Sequence, residues 1–64
     1  MNWAETLDRR IEMEFREMPG LKLTLWQAAR LWNAPHQLCE AVLAKLVRSG
    51  FLWQNKDGQF QRVS

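Results

Sequence analysis

The sequence predicts an α+β fold, mostly helical, in which three helices are followed by a C-terminal β-hairpin. Three observations predict it. Apolar residues recur at helical spacing in two long segments, about 3–18 and 35–49. Pro19-Gly20 and Gly50 stand where those helices should stop. Beyond Gly50 the pattern turns into two strand-like runs, 51–55 and 59–63, on either side of Lys56-Asp57-Gly58, whose Asp-Gly step favours a hairpin turn.

Helix one is expected from Trp3 to Met18. Asn2 is a suitable cap, with Glu5 three residues later where a capping-box partner reaches back. Trp3, Leu7, Ile11, Phe15 and Met18 form one stripe, while Glu5/Arg9 and Glu12/Arg16 are i,i+4 pairs on the solvent side. Leu21-Lys22-Leu23 reads as a short extended stretch, with Leu23 a candidate for a brief third strand. Thr24-Leu25-Trp26-Gln27 is a full T-x-x-Q capping box that opens helix two, about 25–32. That helix is apolar nearly all round apart from Gln27 and Arg30, so it is expected to be well covered. Asn33, a residue that enters the left-handed region readily, makes the turn after it. Helix three starts near Pro35, a favoured first-turn residue, and buries Cys39, Val42, Leu43, Leu46 and Val47.

A chain of 64 residues supports one domain, 1–64, with a thin core. Four Trp, three Phe and three Met supply that core but leave no material for an enclosed catalytic cleft. The single Cys39 excludes an internal disulfide, and on an apolar stripe it reads as a small buried hydrophobe. His36 has no second ligand at metal-binding spacing, and one His with one Cys assembles no nucleophilic triad. The expectation is therefore a protein that is not an enzyme, with no metal, cofactor or small-molecule substrate. No apolar run approaches the roughly 18 residues of a membrane span. The opening stretch carries Asp8, Arg9 and Arg10 where a signal peptide would be apolar. A cytoplasmic, reducing location is expected. The Trp residues could stack on unpaired bases, but their apolar spacing makes core packing the better account. On that account Trp3 and Trp32 are buried, and Trp26 and Trp53 lie beside core residues.

The net charge of +2 is small, but its distribution is uneven. Residues 1–20 set Glu5, Asp8, Glu12, Glu14 and Glu17 against three arginines, a net of −2. Residues 21–64 set Lys22, Arg30, Lys45, Arg48, Lys56 and Arg62 against Glu40 and Asp57, a net of +4. A basic excess confined to one part of the chain favours a polyanionic partner for that part.

Two helices joined by a short turn, then a hairpin, make the order of a winged helix-turn-helix unit. The stretch 23–29, from Leu23 through Thr24 to Ala29, resembles the opening of the first such helix in bacterial winged-helix regulators of the MarR and IclR kind. Leu43-Ala44-Lys45-Leu46-Val47-Arg48-Ser49-Gly50-Phe51-Leu52 is similar to their L-x-x-L-x-x-x-G-φ-φ signature, where φ is apolar. The likeness covers about residues 23–63. Asn33 stands where that family often has Gly, and Cys39 where it has a β-branched residue. The resemblance implies a recognition helix over about 35–49, a wing over about 51–63, and double-stranded DNA as partner in transcription regulation. Carried onto this chain, it implies contacts from His36, Gln37, Leu38, Ala41, Lys45, Arg48, Lys56 and Arg62. Gln37 suits adenine, Leu38 and Ala41 thymine methyls, and the four cations phosphates. Three or four phosphate contacts from those cations imply a slope of log K against log salt near −3, weak binding by a monomer, and tight binding only by a homodimer. Glu40 on the same face would repel phosphates. The apolar residues there also suit a protein partner, which leaves a protein-interaction module as the alternative.

Overall fold

The computed structural model describes residues 3–63, with side chains from Thr6 onward; the Asn2 cap, the Trp3 side chain and the Glu5 contacts lie outside what it describes. The described chain is α+β and mostly helical. Its order is α1 (Trp3–Glu17), β1 (Lys22–Thr24), α2 (Leu25–Leu31), α3 (His36–Arg48), β2 (Leu52–Gln54) and β3 (Gln59–Arg62). The three strands form one antiparallel sheet in the order β1-β3-β2.

Local chemistry sets the ends of the central helix pair. Thr24 Oγ1 accepts a bond from the Gln27 amide at 3.2 Å, and the Gln27 side chain accepts from the Thr24 amide at 2.9 Å, completing the capping box. Such a cap stabilises by about 1 kcal/mol. The C-termini of α2 and α3 close the same way. At the end of α2 the Ala34 amide donates to Ala29 and the Asn33 amide to Arg30, with Asn33 at φ +49°. At the end of α3 the Phe51 amide donates to Leu46 and the Gly50 amide to Val47, with Gly50 at φ +84°. Each is a Schellman motif, in which one left-handed residue lets two orphan carbonyls be satisfied. Pro35 proves to be the N-cap of α3 and not its first helical residue, so the helix starts one residue later than the sequence suggests.

The hairpin turns over Lys56-Asp57-Gly58 as expected, and its strands are shorter than the apolar pattern indicates. Asn55 belongs to the turn: its carbonyl accepts from the Gly58 amide at 3.0 Å, and its Oδ1 accepts from the amides of Asp57 and Gln59. Gly58 at φ +80° then completes a three-residue loop of the bulged kind. β3 pairs on its other side with β1, Leu23 opposite Phe60, so the expected brief strand exists and β3 is central.

The core is Leu7, Ile11 and Phe15 of α1, Ala28, Trp32, the α3 stripe Cys39, Val42, Leu43 and Leu46, and Leu52 and Phe60 of the sheet. Phe15 and Trp32 meet with ring centroids 6.3 Å apart and planes tilted by 51°, a favourable aromatic arrangement. Several expected core positions are corrected. Met18 lies beyond the end of α1 and is exposed, because the helix stops at Glu17. Trp26 is 74% exposed and Leu31 54%, so α2 is covered on one side only. The reason is angular: Ala28 faces the core, and a residue two places before it projects from the opposite side of a helix. Trp53, 46% exposed, follows from alternation: it is paired with Gln61, while its neighbour Leu52 takes the core face. Val47 is half-buried at the edge of its stripe.

Cys39 is fully buried, and burial raises its thiol pKa above the ordinary value. The thiolate is the reactive form. A thiol reagent at pH 8 is therefore expected to label the native protein slowly and the denatured chain at once. Equal rates in the two states would place Cys39 at the surface and overturn the register of α3.

Candidate functional site

The free surface of α3 is the natural place to look, because its other sides are occupied. Cys39, Val42, Leu43 and Leu46 face inward, α2 and β2 pack on its flanks, and α1 lies along another side. Gln37, Glu40, Ala41 and Arg48 remain exposed, with Ala44 half-buried among them. At 100° per residue, Gln37, Ala44 and Arg48 fall within about 20° of one line along the helix, Ala41 to one side and Glu40 to the other.

On the Glu40 side a groove of about 360 Å³ separates α3 from the hairpin. Leu25, Val47 and Phe60 give it apolar walls, and Glu40, Arg48 and Gln54 supply its polar atoms. Gln54 is held by a bond from its Nε2 to the Gly58 carbonyl, which ties the groove to the hairpin turn. Lys56 stands exposed in that turn.

The eight expected contact residues separate into two groups. Gln37, Ala41, Arg48 and Lys56 are exposed, and no hydrogen bond or ion pair engages Gln37, Arg48 or Lys56 among the described residues. The other four are committed elsewhere. His36, expected in the open, is half-buried, its ring against Trp26 with centroids 3.9 Å apart and planes tilted by 42°. Its Nε2 is buried without a protein partner. Leu38, expected to point outward, is partly buried against the core. Lys45 donates from Nζ to Asp8 of α1 at 2.5 Å, so its charge is turned to the α1 side. Arg62 lies over the ring of Phe51 at 4.4 Å, with Arg16 over the same ring at 5.0 Å. Two residues on from Phe60 in β3 and paired with Leu52, Arg62 falls on the core side of the sheet, which is why it is not a free hairpin cation.

Trp26 is the surface residue that the sequence reading missed. The signal was present: Thr24 as N-cap and Ala28 as the small buried residue together fix position 26 as outward. Among the described residues no three His, Cys, Asp or Glu side chains gather as a metal site, and no helix is long and apolar enough to cross a membrane. No protein-family model, curated protein or solved structure matches the chain, so what the surface can do rests on its own geometry.

Proposed function

We propose that the chain is a winged helix-turn-helix module that docks on double-stranded DNA, with α2 and α3 as the helix pair, α3 as the recognition helix, and the β2–β3 hairpin as the wing. On this reading it is a non-enzymatic, cofactor-free element of transcription regulation in the cytoplasm. The observation that carries the reading is the uncovered face of α3 beside the hairpin. Ala41 and Ala44 keep its middle low, Gln37 offers a donor–acceptor pair near its N-terminal end, and Arg48 and Lys56 offer unengaged cations at its far end and on the hairpin. A helix enters the major groove most closely where its side chains are short, and residues near its N-terminus then reach base edges. The skew of charge, +4 over residues 21–64, acts in the same direction.

A second reading has its own support. Trp26 and Leu31 expose apolar surface on α2, and aromatic residues of this kind are enriched where proteins bind proteins. Titrating isotope-labelled protein with a mixed-sequence duplex at low salt separates the two. DNA docking predicts backbone shift changes concentrated at residues 36–48 and 54–58. An unchanged spectrum at low salt, where electrostatic association is strongest, removes the DNA reading and leaves the protein-interaction module.

A further inference from the structure

Glu40 is the one acid on the uncovered face of α3, and it is exposed with no hydrogen bond or ion pair among the described residues. A carboxylate there weakens attraction to any polyanion; Arg48 lines the same groove two turns further on but makes no ion pair with it. It lies in the first half of α3, three residues after Gln37 and directly before Ala41. Three residues of helix advance about 4.5 Å, close to the roughly 3.4 Å rise of one base pair. The short Ala41 and Ala44 side chains keep this stretch of α3 low, so a helix docked in the groove would bring the Glu40 side chain within reach of base edges.

Base edges differ in what they offer a carboxylate, which can only accept. In the major groove guanine presents two acceptors, thymine an acceptor and a methyl, and adenine an acceptor beside its donor. Cytosine alone presents a donor, its N4 amino group, and no acceptor. Resting on the DNA-docking reading above, we propose that Glu40 is a specificity-determining residue: it restricts α3 to sites that place a cytosine beside the base pair faced by Gln37. The carboxylate selects by exclusion. Over cytosine its charge is met by the amino group, and over the other bases it is set against a carbonyl oxygen or ring nitrogen.

The test is selection from a randomised duplex pool at low salt by the wild-type chain, Glu40→Gln and Glu40→Ala. Circular dichroism checks that both variants keep their helix content, as an exposed position should allow. The wild type is expected to enrich cytosine at one position by about 10-fold, within the range of a good base contact. Glu40→Ala should lose that enrichment and bind mixed-sequence duplex more tightly, because the repulsion is gone. Glu40→Gln should move the preference towards adenine, which an amide reads through one donor and one acceptor. Duplex binding by the wild type without a cytosine preference, or a cytosine preference that survives Glu40→Ala, overturns the role of Glu40 while leaving DNA docking intact. Failure of the wild type to bind any duplex overturns both.

Discussion

Phe15→Ala is expected to lower the unfolding free energy by about 3–5 kcal/mol, the usual cost of truncating a buried aromatic. Phe15 is 0% exposed, and its ring meets Trp32 at the end of α2, so it joins α1 to the helix pair. The truncation removes the apolar area of the ring and the tilted aromatic contact, and it leaves a cavity that a small core closes poorly. At about 0.05–0.15 kcal/mol per residue, a chain of 64 residues has roughly 3–10 kcal/mol in total. The loss is therefore between about a third and the whole of the total stability. Urea denaturation followed by Trp fluorescence measures it. Met13→Ala on the same helix, at a site 59% exposed, serves as the control and should change stability by no more than about 0.5 kcal/mol. Equal effects of the two substitutions would mean that α1 is not docked on the core.

The weight placed on α1 shows what a sequence does and does not reveal. Elements with a chemical signature were legible. The Thr24/Gln27 box, the left-handed Asn33 and Gly50, the Asp57-Gly58 step and the α3 stripe each follow from backbone groups that must be capped or turned, and all are found. Burial on a short element was less legible. Helix α2 has seven residues, so its apolar content outweighed its geometry, and Trp26 and Leu31 lie on the side that nothing covers. The candidate site suffered most from contacts made at a distance in the chain. Position and residue type mark Lys45 as a phosphate-binding lysine, but Asp8 stands 37 residues away and becomes its neighbour only when α1 packs on α3. Arg62 likewise looks like a free hairpin cation until the hairpin closes and Phe51 lies beneath it. Periodicity within one element does not carry such information. Only the packing of one element on another does.

If the chain docks on DNA as proposed, those two commitments change the expected salt dependence of binding. Four cations would give a slope of log K against log salt steeper than −3 if all met phosphates, since each phosphate contact contributes about −0.9. With Lys45 on Asp8 and Arg62 on Phe51, Arg48 and Lys56 remain, and the slope for one copy should be near −2. Affinity should then fall about 12-fold between 50 and 200 mM salt for a single copy, and about 150-fold for two copies bound together. Fluorescence anisotropy with a labelled duplex at four or five salt concentrations gives the slope directly. Arg48→Ala and Lys56→Ala should each make it shallower by about one unit and weaken all sequences alike. Lys45→Ala should leave the slope almost unchanged, because the ammonium is already engaged by a carboxylate, and an exposed pair of this kind contributes at most about 1 kcal/mol to stability. A slope that drops by a full unit in Lys45→Ala would mean that the lysine leaves Asp8 for a phosphate on binding. The docking face would then extend around α3 towards α1.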